Sequence, residues 1–307
     1  MLVEAVQRSI NPLRLTRIHE RVAEAMEVHK PDNSAEIATH YDRSGSPQKA
    51  FKHAMRAGAS ALAVYHQAEA RRFFEIAERA ASSPVERAHA LARLAEVAET
   101  EGRNALTEEL CDRALAGLAS GEEPGSVLAL RRMRQRTRAL QTQSSHETIA
   151  VCRELLVTAR QIGDRFEEAS LLNMISQYQG ILGEWTEAEE VARAAVEAAQ
   201  ASGHTGVLAE AFAQLAGSMM QRRSSESGEY YNRALSLFHT AGDRCGEARC
   251  YINIGMIRQN AGDVVAAEVA YDRALEASER ANAFDLTGLA SLHLGTLLLR
   301  RGQLDAA

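Results

Sequence analysis

An all-α solenoid built from antiparallel helix pairs is the fold this sequence predicts, on three observations. The chain has 307 residues and is 46% hydrophobic, yet it holds only five prolines and 5% aromatics. Abundant Ala, Leu, Glu and Arg favour helix, and no alternating β-branched run is long enough to demand a sheet. The second observation is self-similarity. "GDRFEEASLLNMISQYQGILGEWTEAEEVARAAVEAA" begins at Gly163, a related unit at Gly203, another at Gly242, and Asn282 opens a fourth, at offsets of 40, 39 and 40 residues. The third is a marker inside each unit: Gly183, Gly262 and Gly302 stand at equivalent places, with Arg223 in the remaining one. Extended upstream, the period lands near Gln143 and then on Gly102. A fixed period of this length marks repeats that bury their apolar faces by stacking on neighbours.

Each unit reads as two amphipathic helices joined by a short turn. In the unit from Gly242, Tyr251, Ile254, Gly255 and Ile257 recur at helical spacing, the turn is Gly262-Asp263, and Ala267, Tyr271, Ala274 and Leu275 mark the second helix. A glycine at the helix end supplies a left-handed cap, and the Asp after it caps the next helix. Small residues at 255, 267 and 274 let the two helices approach closely.

These positions make the units resemble the tetratricopeptide repeat. Gly255, Ala267, Tyr271 and Ala274 match its small and aromatic places, Gly295 and Ala307 match in the following unit, and Trp185, Ala188 and Ala195 in an earlier one. The resemblance covers residues 34–307, with the last repeat truncated, and implies a right-handed superhelix. The period near 40 exceeds the usual 34, and the proline that closes each unit of that family is missing. Longer units of this kind are similar to those of bacterial signal-transduction ATPases.

The segment 1–33 differs: "VEAVQRSINPLRLTRIHERVAEAME" carries Leu15, Ile18, Val22 and Met26 as a helix with a basic outer face. With "IHERVA" at Ile18–Ala23, "AEIATHY" at Ala35–Tyr41 and "AEARRFFE" at Ala68–Glu75, it resembles the junction that follows the NTPase and winged-helix modules of STAND-class regulators. The chain has no G-x-x-x-x-G-K-[ST] loop and no DNA-reading helix-turn-helix after the repeats, and its sequence runs out at "RGQLDAA", a few residues into a second helix. The resemblance therefore implies the repeat region of a larger regulator, acting alongside an NTPase module.

Charge and motifs narrow the job. A net charge of −6 disfavours direct nucleic-acid binding, which rests on neutralising phosphate. Five arginines crowd the stretch "LRRMRQRTRAL" from Leu130 to Leu140. On a helix Arg131, Arg134 and Arg138 form a stripe opposite Leu130, Met133, Thr137 and Leu140. That stripe is either a docking face for an acidic partner or a wet face paired with carboxylates such as Glu108 and Glu109; the second is the expectation, since no aromatic is interleaved. Cys111, Cys152, Cys245 and Cys250 are scattered and predicted to be buried free thiols. His40 and His53 flank a turn, near enough in sequence to meet, but half-buried imidazoles are expected and neither metal nor cofactor is predicted. No nucleophile or paired-carboxylate motif points to catalysis. No signal peptide or membrane span is readable, so a soluble cytoplasmic protein is expected.

The tetratricopeptide resemblance places the concave groove on first-helix positions, here Asn173, Gln177, Gln214, Gln221, Asn253, Met256, Gln259, Asn260 and His293, with Thr296 continuing the series. Neutral amides dominate, and an amide both donates and accepts. Arg258 stands where the family often has Tyr. The expectation is a non-catalytic sensor or scaffold region of a signal-transduction or transcriptional regulator, its groove holding a protein, a peptide or a small-molecule effector. The alternative is a constitutive peptide-binding adaptor without a switching role.

Overall fold

A computed structural model of the chain describes residues 11–302 apart from 65, 119–122, 143 and 223. Among the described residues all regular structure is α-helical, in two compact units, Met1–Thr142 and Gln143–Ala307. The first holds α1 (Pro12–His29), α2 (Ser34–Ser44), α3 (Pro47–Ala63), α4 (Gln67–Ala80), α5 (Pro84–Thr100), α6 (Asn104–Gly117) and α7 (Pro124–Thr142). The second holds α8 (Ser145–Ile162), α9 (Arg165–Leu182), α10 (Trp185–Ser202), α11 (Thr205–Gln221), α12 (Ser227–Ala241), α13 (Arg244–Asn260), α14 (Val264–Arg280) and α15 (Phe284–Arg300). The boundary expected at 33/34 lies inside the first unit. Gln143, Arg223 and Ala307 fall outside the described residues.

Turn chemistry sets the period. Gly163, Gly183, Gly203, Gly242, Gly262 and Gly302 all have φ between +69° and +81°, as does Gly102. Asn282, which opens a repeat in place of glycine, takes the same left-handed region at φ 54°; Asn tolerates it best among residues with a Cβ. Asp164, Asp243 and Asp263 follow three of these glycines, and their carboxylates accept from the backbone N–H of Glu167, Gly246 and Ala266. Helix end and helix start are thus written in two adjacent letters.

Within each unit the helices associate as pairs, α3 with α4 and α5 with α6 in the first, α9 with α10, α11 with α12 and α13 with α14 in the second. Three second-helix places are buried throughout: Ala70, Phe74 and Ala77; Thr107, Cys111 and Ala114; Ala188, Ala192 and Ala195; Ser227, Tyr231 and Ala234; Ala267, Tyr271 and Ala274. The first helix answers them in size. Gly58 faces Phe74 and Gly255 faces Tyr271, and a Cβ on either glycine would lie 2.5 Å from the ring. Smaller Cys111 and Ala192 sit 16 residues after Ala95 and Ser176 instead, the same spacing that separates each glycine from its ring. Close packing leaves no free volume, so a bulky ring demands a missing side chain across from it.

Junctions between pairs carry a second repeated device. The buried Glu168 on α9 accepts from Arg160 Nε at 2.8 Å and from Arg165 Nη1 at 2.6 Å. Seventy-nine positions on, the buried Glu247 on α13 meets His239 Nδ1 at 3.0 Å and Arg244 Nη1 at 2.8 Å. "GDR" with a Glu three residues after the Arg spells both.

His40 does not meet His53. It meets the buried His19 of α1, Nδ1 to Nδ1 at 2.8 Å, while His53 Nε2 bonds Glu27 at 2.7 Å, whose other oxygen accepts from Tyr41. Both rings of the His19–His40 pair titrate below the ordinary 6.5: burial is the main cause for each, the two charged rings would repel, and Arg43 adds repulsion. With folded values depressed, the neutral pair favours the fold above about pH 6.5, and stability is lost as pH falls below that. Melting temperatures at roughly pH 7.5 and pH 5.5 should show a drop on acidification that shrinks in His40→Asn. An unchanged drop in the variant would reject the pair as its source. Cys111, Cys152 and Cys250 are buried and in no disulfide, but Cys245, in the first turn of α13, is exposed. No described helix is long and apolar enough to cross a membrane.

Candidate functional site

The first helices of successive pairs in the second unit bring Gln177 of α9, Gln214 and Gln221 of α11 and Asn253 of α13 to one cleft of about 300 Å³. Trp185 and Tyr231, from the second helices α10 and α12, close its back. Two glycines inside helices make that possible: a Cβ on Gly180 would come 3.1 Å from Trp185, and one on Gly217 would come 3.3 Å from the Tyr231 hydroxyl. Helix-interior glycine costs roughly 0.5–1 kcal/mol relative to alanine, so each ring is accommodated at the expense of local helix stability.

Hydrogen bonds fix the amides' orientation. Gln214 Nε2 donates to Glu210 at 2.8 Å, and Asn253 Nδ2 donates to the Arg249 carbonyl at 3.0 Å. Their carbonyl oxygens and one N–H of each are left to a ligand. Burial holds the Tyr231 phenol far above its ordinary titration range, so it presents an O–H.

The remaining predicted groove residues do other things. Asn173 is buried and donates to the Val207 carbonyl at 3.2 Å, tying α9 to α11. Met256 packs beside Ile252, Ala267 and Tyr271. Gln259 accepts from the Tyr271 hydroxyl at 2.8 Å, and His293 stacks on the same ring with centroids 5.4 Å apart. Thr296 donates to the Leu292 carbonyl of its own helix, and Asn260 lies exposed at the end of α13.

On the arginine helix, Arg134 pairs with Asp112 at 2.7 Å, Arg136 with Glu99 at 2.6 Å and Arg138 with Glu108 at 2.5 Å, whereas Glu109 pairs with Arg113. Arg131 is exposed. Leu130, Met133 and Thr137 are buried opposite, but Leu140 is 63% exposed and Ala139 takes its place in the core.

The sequence reading missed a second concavity, of about 530 Å³, in the first unit. It lies across α3, α5 and α7, with Phe51, Met55, Leu130 and Met133 among its apolar lining and Lys52, His89, Arg93 and Glu96 as its polar groups. Burial pushes the Glu96 carboxyl up, against the opposing pull of Arg93 at 2.7 Å. His89 meets Glu123 at 2.7 Å, and Glu123, which also accepts from Ser126, is held low by those two bonds. The signal that carries the repeat register into this unit is the glycine–aromatic spacing: Gly58 and Phe74, which do not line the concavity, repeat the 16-residue interval of Gly255 and Tyr271. Among the described residues no three His, Cys, Asp or Glu side chains gather as a metal site would require.

No protein-family model and no curated protein matches the chain. Solved structures do. A Rap protein complexed with Competence and Sporulation Factor matches at TM-score 0.59 and 12% identity, over 94% of each chain. A STAND protein with a tetratricopeptide-repeat sensor from Pyrococcus horikoshii matches at 0.59 and 13%, over 97% of this chain but 46% of its own. Aspartyl phosphate phosphatase F from Bacillus subtilis matches at 0.55 and 12%, over 96% of this chain and 80% of its own. Identities this low show fold alone: the chain is an all-α helical-repeat protein of the tetratricopeptide-like class.

Proposed function

We propose that the chain is a non-catalytic binding scaffold whose second-unit cleft holds a segment of a protein or peptide. The observation that carries this is the convergence of Gln177, Gln214, Gln221 and Asn253, contributed by three successive first helices, on one concavity. Two structural neighbours lend support: one was solved with a factor bound, and another carries its repeats as a sensor. In the finer reading the chain is the sensor of a STAND-type signalling or transcriptional regulator, with 1–33 the junction to an NTPase module. A ligand bound better by one arrangement of the repeats than another would then shift that module's equilibrium. A constitutive adaptor would bind without the shift.

A photo-crosslinking residue placed at Gln177 or Gln214 in living cells tests the scaffold reading, with Val269, 50% exposed on α14, as the control position. Adducts from the two cleft positions and none from 269 are expected. Equal labelling from all three, or none from the cleft, would overturn the proposal. Hydrogen exchange with the captured segment bound separates sensor from adaptor, since only a sensor changes protection away from the cleft.

A further inference from the structure

We infer that the second-unit cleft recognises an uncharged stretch of polypeptide through its backbone, with one peptide carbonyl accepting from the Tyr231 hydroxyl. This rests on the scaffold reading above and adds the chemistry of the occupant.

The cleft has no charge of its own. A quarter of the chain's residues are charged, yet all twelve that line this cleft are neutral. Two carboxylates of the lining helices are already matched: Glu210 holds Gln214 and Arg249, and Glu189 holds Arg193 and Arg222. A charged ligand would lose hydration on entering and meet no counter-charge.

Tyr231 supplies the independent observation. The residue is only 3% exposed, its ring is packed in the cluster with Phe212 and Cys250, and its side chain lines the cleft. Its hydroxyl has no hydrogen-bond partner among the described residues. Tyr271, at the equivalent place in the next pair, uses its own hydroxyl on Gln259. The ring is buried but the hydroxyl opens on the cleft without a partner among the described residues, so its O–H is placed to donate to an acceptor that fills the cleft.

The rest of the pattern fits a main chain. Tyr231 offers a donor, while Gln214 and Asn253 each offer a carbonyl acceptor and one remaining N–H. A peptide presents the complementary pair at every residue, N–H and C=O.

The test is selection of phage-displayed random decapeptides against the full chain. The expected winners are poor in Asp, Glu, Lys and Arg and bind within twofold at roughly 0.05 and 0.5 M salt. They should bind Tyr231→Phe about tenfold more weakly, a loss of ~1.4 kcal/mol, while that variant melts no lower than the parent because it deletes only an unpaired hydroxyl. N-methylation of one central amide should abolish binding. Winners that are charged and salt-sensitive, or indifferent to Tyr231→Phe, overturn this inference and leave the scaffold reading intact. Failure to select any peptide also overturns it, and the crosslinking result then decides the scaffold reading separately.

Discussion

Gly58→Val is expected to destabilise the first unit by about 2–3 kcal/mol in urea unfolding. Even the first added carbon would lie 2.5 Å from Phe74 Cε1, and Phe74 is fully buried, so the ring has nowhere to swing. Overpacking of this kind costs about 1–3 kcal/mol, and the two further methyls of valine put the effect in the upper part of that range. The gain from replacing a helical glycine, roughly 0.5–1 kcal/mol, offsets only part of it. Two companions make the test specific. Gly58→Ala combined with Phe74→Leu should recover much of what Gly58→Ala alone loses. Gly295→Ala, where a Cβ would meet nothing within 4 Å, should be neutral or stabilising. If Gly58→Val and Gly295→Ala behave alike, the size-matching account is wrong.

Glu168→Ala comes second, at about 1–3 kcal/mol. Truncating one partner of a buried pair can cost about 3–5 kcal/mol when the other charge is stranded. Here the stranded groups, Arg160 and Arg165, are more than half exposed and can be rehydrated, which lowers the figure. Burial alone would raise the Glu168 carboxyl; the bonds from the two arginines outweigh it and hold it below the ordinary 4.5. A depressed carboxyl contributes stability above its unfolded pKa and loses it as pH falls through the folded one. The parent should therefore lose stability relative to Glu168→Ala below about pH 4.5. A stability difference that stays constant from pH 7 down to roughly pH 3 would show that the charge on Glu168 has no part in it.

Those two sites also show what a sequence discloses. Positive-φ turns were legible because nearly all L-residues avoid that region, so Gly163, Gly203, Gly242 and Asn282 announce themselves. Pairs in the first unit were harder to read because the aromatic place is Phe74 in one and Cys111 in the next; only the 16-residue interval persists. In the cleft, Gln177, Gln214, Gln221 and Asn253 were found by register alone. Register also nominated Gln259 and Asn173, which other atoms claim: the Tyr271 hydroxyl in one case, the Val207 carbonyl in the other. Tyr231 went unnoticed because a tyrosine at a core position reads as a packed ring, and nothing in the letter tells whether its hydroxyl has found a partner.

The glycine-to-ring fit has a bearing on how such a chain can be recombined. A helix carrying Ala95 would clash with one carrying Phe74, and one carrying Gly255 would leave a void against Ala192. Helices are therefore not the interchangeable unit of this molecule; pairs are. A chimera that cuts at the inter-pair glycines Gly163 or Gly203 keeps these locks with their keys, whereas one that cuts at Gly183 or Gly262 separates them, and a cut at Gly242 parts Phe238 from Gly246, where a Cβ would lie 2.4 Å from the ring.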